Sequence, residues 1–178
     1  MKILVITGSP HKKGTSALLA DEFIRGAREA GNQVDRFDAA FEDVHPCIGC
    51  NKCGYGVNPC IFQDAMNKLN PLLLEADVIV FATPIYYWSF PAQLKAVIDR
   101  FQVTVFYLSG KKAVLLATAA STEAWVKDAL DVGFNNMLKF IKWKDAGRIY
   151  ALGCPQRMDI EQTDYPKQAY MLGKGIAE

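Results

Sequence analysis

Met1-Lys2-Ile3-Leu4-Val5-Ile6-Thr7-Gly8-Ser9-Pro10-His11-Lys12-Lys13-Gly14-Thr15-Ser16 passes from an apolar, strand-like run through a Gly/Pro/Ser turn into a helical pattern. The turn from Gly8 to Ser16 has the makings of an anion seat. A helix leaves its first backbone N–H groups without intrahelical partners and carries partial positive charge at that end. Gly14, Thr15 and Ser16 place such donors together, and Ser9, Thr15 and Ser16 add hydroxyls. The stretch has neither the G-x-G-x-x-G spacing of dinucleotide folds nor the G-x-x-x-x-G-K-[ST] ending of the triphosphate loop. A monophosphate therefore suits it better, although an ordinary strand-to-helix turn would show the same composition.

The same alternation continues along the chain. Strands are expected at 2–7, 33–38, 77–82, 113–119 and 147–152, several as continuous Val/Ile/Leu-rich runs, which implies a sheet buried on both faces. Helical patterns separate them at 16–30, closed by Gly31, and at 63–75, 91–101 and 122–143, with a last one from about 163 to the C-terminus. Five strand–helix units with right-handed crossovers give an α/β three-layer sandwich around a parallel sheet of order 2-1-3-4-5. Pro71 lies inside the second helical pattern and is expected to break or restart it.

The chain has 178 residues, the size of one domain, so residues 1–178 are expected to form a single unit. Net charge is +1 with 22% charged residues of both signs, which argues against a nucleic-acid or membrane surface. No apolar run has the length of a membrane span or a signal-peptide core, so a cytoplasmic protein is expected. Of five cysteines, four fall between positions 47 and 60, a bunching that suits metal or redox use better than a secreted disulfide framework.

A sheet of this order demands that the loops after its first, third and fourth strands build one site at the carboxyl edge. Thr83-Pro84-Ile85-Tyr86-Tyr87-Trp88-Ser89-Phe90-Pro91 supplies aromatic area within a proline frame, which suits a flat, partly apolar ring system. Tyr86, Tyr87, Trp88 and Phe90 could instead pack in the core or a dimer interface. Thr118-Ala119-Ala120-Ser121 is small and polar, as close approach to a ligand requires, and equally suits the cap of a helix from Thr122.

Ile3 to Pro10, Thr83 to Trp88, and Pro91-Ala92-Gln93-Leu94-Lys95-Ala96-Val97-Ile98-Asp99-Arg100 together resemble the NAD(P)H-dependent FMN reductase branch of the flavodoxin-like proteins. The resemblance covers essentially the whole chain, and the second and third blocks carry it most specifically. It implies bound FMN, with the phosphate held by Ser9, Gly14, Thr15 and Ser16. It also implies that the isoalloxazine lies against Thr83, Pro84, Ile85, Tyr86, Tyr87 and Trp88 and against Thr118 and Ala119. Homodimers or homotetramers are usual in that branch. Two departures stand out: His11 occupies a position where relatives commonly carry Arg, and Gly14-Thr15 replaces Gly-Asn-Thr, making the loop one residue shorter. His11 can still donate to a phosphate, without the bidentate charge-assisted contact of Arg.

Cys47, Cys50, Cys53 and Cys60 follow the spacing x2, x2, x6, with Gly49, Gly54 and Gly56 available for tight turns. Two successive x2 gaps let three thiolates converge on one centre, as in the opening of bacterial [4Fe-4S] motifs. The resemblance sharpens this, because iron-sulfur flavoproteins of the same fold carry a compact four-cysteine motif between the second and third strands. Zinc, or cysteines that are simply reduced or disulfide-linked, are the alternatives. Cys154, remote from these, reads as a packed thiol.

Asp99-Arg100 reads as a solvated pair on a helix surface, His45 as a solvent-facing loop residue, and Lys12 and Lys13 as a plain charged loop that could steer an anion. No Ser/His/Asp or paired-carboxylate set stands out, which fits chemistry in which flavin N5 accepts the hydride and no catalytic side chain is required. The expected activity is FMN-dependent reduction of a small acceptor, such as a quinone, free flavin or a nitro or azo compound, with NAD(P)H as co-substrate. The alternatives are an iron-sulfur electron carrier working with a ferredoxin-type partner and a flavin-binding module without turnover.

Overall fold

Isoleucine, leucine and valine fill the first strand, Lys2–Thr7 (β1), and every residue from Ile3 onward is buried. In the computed structural model, which describes residues 1–176, β1 lies inside a five-stranded parallel sheet. Its partners are Gln33–Asp38 (β2), Val78–Pro84 (β3), Lys112–Thr118 (β4) and Lys144–Ala151 (β5), in the order β2-β1-β3-β4-β5. All four pairings are parallel, as the right-handed crossovers require.

Alternate residues of each central strand feed two cores. Ile3, Val5, Val80 and Leu116 meet Thr15–Glu29 (α1), Arg157–Glu161 (α5) and Tyr165–Lys174 (α6) on one face. Leu4, Ile6, Phe81 and Leu115 meet Met66–Glu75 (α2), Ala92–Asp99 (α3) and Asp128–Ile141 (α4) on the other. Phe81 anchors the second core, with ring centroids 6.1 to 6.4 Å from Phe134, Phe101 and Trp143. The Trp143 indole N–H donates to the Leu108 carbonyl, so a buried polar atom is satisfied.

Several boundaries differ from the sequence reading. The helix expected at 63–75 begins at Met66 and runs through Pro71 without a break. Pro71 is exposed while Met66, Leu69 and Leu73 are buried, so the missing hydrogen bond falls on the solvated side and packing of the inner face prevails. The helix expected at 122–143 is a 3-10 turn, Ala124–Lys127, followed by α4, and Lys142 in the left-handed region ends it. Ser121 does not cap α4 directly; its Oγ accepts the Glu123 N–H at 3.1 Å in the preceding turn.

The strand expected at 147–152 begins at Lys144, because Gly147 sits within an irregularity of the β4–β5 register instead of at a strand end. Its φ of 138° and the 2.7 Å that would separate a Cβ from Leu172 explain the glycine there. The final helical pattern, expected from about 163, is α6, and the short α5 before it was not expected; any continuation beyond Ile176 lies outside the described residues. Among the described residues no helix is long and apolar enough to cross a membrane.

Candidate functional site

β1 ends beneath the loop Gly8–Gly14, and its neighbours pin that loop. Gly8 N–H donates to Ala82 O at 2.9 Å, and a Cβ on Gly8 would lie 2.8 Å from Leu94 Cβ. Ser9 Oγ accepts the His11 N–H at 3.1 Å, and Gly14 N–H returns to His11 O at 3.0 Å, curling the loop over the start of α1. The helix begins at N-cap Gly14 with no side-chain cap and no acidic residue in its first turn. Its leading N–H groups are therefore left for another acceptor.

The remaining loops converge on this point. Thr15 Oγ1 donates to Thr118 Oγ1 at 3.0 Å, tying the start of α1 to the end of β4. Ile85 N–H donates to Thr118 O at 2.8 Å, and Cys154 N–H to Ala119 O at 2.9 Å, so the segments after β3 and β5 are stitched to the same edge. Tyr86 and Ser89 exchange backbone hydrogen bonds of 3.1 and 3.0 Å around Tyr87 and Trp88, which have φ of 46° and 61°. This two-residue reversal has the positive-φ pattern of a type I′ turn, normally built from Asn and Gly. Each bulky residue there costs roughly 1–3 kcal/mol of backbone strain.

Together these loops enclose a cavity of about 710 Å³. It is lined by Ser9, Pro10, His11, Lys12, Lys13, Gly14 and Thr15, by Pro84, Ile85 and Tyr86, by Thr118, Ala119 and Ala120, and by Cys154, Pro155, Gln156 and Arg157. Lys12, Lys13 and Arg157 are charged and no acid joins them, which favours an anion. The uncapped helix, the cationic rim and the proline-framed wall fit a phosphorylated flat ring. Of the residues singled out in the sequence, Ser16 and Thr83 are buried outside the lining, and Thr83 Oγ1 is taken up by Pro84 O at 2.9 Å. Tyr87 and Trp88 also lie outside it, on the surface, and Trp88 faces Trp125 with ring centroids 5.9 Å apart. Sequence reading missed the contribution after β5, although a strand ending at the same sheet edge was signal enough. Cys154 is buried as expected, and burial, followed by nearby Asp159, pushes its thiol up, so it remains protonated near neutrality.

The four clustered cysteines occupy a separate cavity of about 350 Å³. Cys47, Cys50, Cys53 and Cys60 all line it, with Ile48, Ile61, Phe62 and Val103 among the apolar wall. Five of the eight positions from 49 to 56 have positive φ, including Gly49, Gly54 and Gly56 as the sequence suggested. Gly56 is doubly constrained, since a Cβ would come within 2.9 Å of Val103 O. Among the described residues no three His, Cys, Asp or Glu side chains gather tightly enough to hold one metal ion. All four thiols nonetheless line this one cavity, the donor set that a cluster would require.

Arg100 closes the neck of this loop, contrary to its reading as half of a solvated surface pair. Its side chain is 2% exposed and forks onto Asp64, 4% exposed, at 2.7 and 3.2 Å, while Nη1 also donates to His45 O at 2.7 Å. Asp64 accepts the His45 N–H at 3.0 Å, and the His45 ring, exposed as expected, stacks on Phe62 at 4.2 Å. Burial alone would raise the Asp64 pKa, but Arg100 and the N–H groups of His45 and Met66 outweigh it and hold the carboxyl below its usual range. A lowered folded-state pKa stabilises the fold fully above the unfolded value near 4, and that contribution is lost as pH falls through the folded value. Urea unfolding between pH 3 and 7 should therefore show stability falling below about pH 4. Asp64→Asn should be less stable at neutrality and should lose that part of the slope.

A profile described as NADPH-dependent FMN reductase matches residues 1–143. The chain belongs to that family. Among curated relatives, an iron-sulfur flavoprotein of Archaeoglobus fulgidus is 32% identical over 100 residues, 56% of this chain and 45% of the relative. FMN-dependent NADH:quinone oxidoreductase 2 of Pseudomonas putida is 28% identical over 175 residues, covering 85% and 87% of the two chains. The chain spans about half the length of the iron-sulfur flavoproteins it matches. Among solved structures, the NAD(P)H:quinone oxidoreductase from Methanothermobacter marburgensis superposes with a TM-score of 0.78 at 19% identity, covering 100% of this chain and 96% of the other. That likeness establishes the flavodoxin-like fold, as the strand order does.

Proposed function

We propose that this family member is an FMN-dependent oxidoreductase that takes a hydride from NAD(P)H and reduces a small acceptor, such as a quinone, a free flavin or a nitro or azo compound. The observation that carries this is the single cavity in which the uncapped start of α1 meets the Pro84–Tyr86 wall and the Thr118–Ala119 floor. Ser9, Gly14, Thr15 and the α1 N–H groups would hold the phosphate, with His11 and the Lys12, Lys13 and Arg157 rim supplying further donors. Pro84, Ile85, Tyr86, Thr118 and Ala119 would hold the isoalloxazine. When bound, FMN supplies hydride acceptance at N5, so the chain's own task is to orient the ring and exclude water. Ser16 and Thr83 would act by shaping the loops that carry these contacts.

Tyr87 is 90% exposed, and it forms an aromatic surface with Trp88 and Trp125 beside the cavity. Such a surface supports a homodimer or homotetramer in which a second copy covers the mouth of the site. The near-neutral charge and the bunched thiols support a single cytoplasmic domain over residues 1–178 that acts on small molecules.

A second reading adds a [4Fe-4S] cluster held by Cys47, Cys50, Cys53 and Cys60, with a ferredoxin-type protein as electron partner. Its support is that all four thiols line one cavity. Anaerobic purification followed by flavin, iron and sulfide assays separates the readings. About one FMN per chain with rapid NAD(P)H oxidation in the presence of a quinone is the result expected of the reductase. Four irons and slow NAD(P)H turnover would favour the carrier, flavin without any turnover a binding module, and a chain that does not take up FMN would overturn all three.

A further inference from the structure

We propose that Trp88 and Trp125 determine which acceptor the chain reduces, by offering their exposed rings as a stacking surface for a planar, fused-ring aromatic molecule such as a naphthoquinone. The inference rests on the oxidoreductase reading and narrows its acceptor class. The two rings come from different walls of the cavity at the carboxyl edge of the sheet. Trp88 follows Pro84, Ile85 and Tyr86, and Trp125 follows Thr118, Ala119 and Ala120, all of which line it. The two indoles meet with centroids 5.9 Å and planes 30° apart, and Tyr87 stands edge-on to Trp88 at 83°. Trp88 is 44% and Trp125 55% exposed, so both keep ring surface open to a ligand.

The backbone gives an independent reason. Tyr87 and Trp88 hold positive φ in a reversal that Asn-Gly would adopt without strain, and strain of this kind clusters at ligand sites. Packing within the chain does not explain the choice, because the Tyr87 side chain lies almost wholly in solvent. A stable interface takes about 800 Å² from each partner. An aromatic side chain buries about 150–250 Å² in all, so three partly covered rings make only a fragment of an interface. They match the face of a small flat molecule instead. Stacking grows with the π surface shared, so a fused bicycle gains from it while an octahedral metal complex gains nothing. In the reaction NAD(P)H, one proton and the quinone give NAD(P)⁺ and the hydroquinone; with ferricyanide, two ions take one electron each.

The test uses the full chain loaded with FMN, as wild type, Trp88→Leu, Trp125→Leu and Trp125→Phe. NAD(P)H oxidation is followed with menadione as the fused-ring acceptor and ferricyanide as one without a flat face. FMN per chain and oligomeric state are measured alongside. Each Leu variant should lower the menadione-to-ferricyanide ratio of kcat/KM about tenfold, which is about 1.4 kcal/mol. Trp125→Phe should recover most of that loss. Taking the ratio cancels differences in flavin content. FMN-loaded Leu variants with the wild-type ratio would overturn the role of the two rings and leave the oxidoreductase reading standing. A changed oligomeric state without a changed ratio would give the rings to a subunit interface and also overturn it. Failure of both Leu variants to fold would mark the pair as structural, with the same result. Wild-type protein that takes up no FMN, or holds FMN and oxidises NAD(P)H with neither acceptor, would overturn the oxidoreductase reading and this inference with it.

Discussion

Gly14→Asp is expected to leave the chain folded while lowering its affinity for FMN about 100-fold, or about 2.8 kcal/mol. Gly14 is the N-cap of α1 with extended backbone angles, φ −76° and ψ −178°, that any residue can adopt. Asp is among the best residues for that position, and its carboxylate would accept the leading N–H groups, stabilising the unliganded helix by about 1 kcal/mol. The new Cβ would sit 3.1 Å from His11 Cβ and 3.2 Å from His11 O, so the exposed loop at His11 must give by a few tenths of an ångström, which offsets part of that gain. The gain in stability and the loss of ligand thus have one cause: the helix would be capped by its own side chain where a phosphate should sit. Flavin titration together with urea unfolding of the flavin-free chain checks both, and unchanged FMN affinity would rule out α1 as the phosphate seat.

Gly173→Ala is expected to be, with Gly26→Ala, among the most damaging single methyl groups in the fold. α1 and α6 cross with backbone against backbone. A Cβ on Gly173 would lie 2.1 Å from Phe23 O, and one on Gly26 would lie 2.1 Å from Tyr170 O. No flexible side chain is available to yield, so the helices must separate and open the core that holds Phe23 and Ala169. Overpacking of this kind costs about 3 kcal/mol, which for a chain of this size lowers Tm by roughly 6–12 °C. Gly133→Ala is the control. It lies in the exposed face of α4 with nothing within 4 Å of its would-be Cβ, and should stabilise by roughly 0.5–1 kcal/mol. Thermal melts of the two variants, with far-UV CD to check helix content, decide the matter.

The strand order was legible because β1, β3 and β4 are buried on both faces, and continuous aliphatic runs carry that information in one dimension. The turn from Gly8 to Ser16 was legible for a similar reason: it is local. What the sequence concealed depends on contacts between distant residues. Arg100 looks solvated beside Asp99 until the fold brings Asp64 to it, 36 residues away. Pro71 looks like a break until the sheet selects which side of α2 faces inward. Cys154 to Arg157 join the cavity only because β5 ends at the same edge as β1. The bulge at Gly147 is a matter of register, which no periodicity within one strand reports.

The closed neck of the cysteine loop also sets how freely that segment can vary. His45, Phe62, Asp64 and Arg100 fasten its two ends to the α/β base, with Ala65 N–H to Asp43 O, 2.9 Å, as a further tie. Chain between such fixed points is cheap to lengthen or shorten, since doubling a loop adds only about 0.6 kcal/mol of closure entropy. The segment therefore behaves as a cassette. Its contents can be exchanged, thiols included, while the cavity at the carboxyl edge of the sheet, which shares none of its lining, retains its shape.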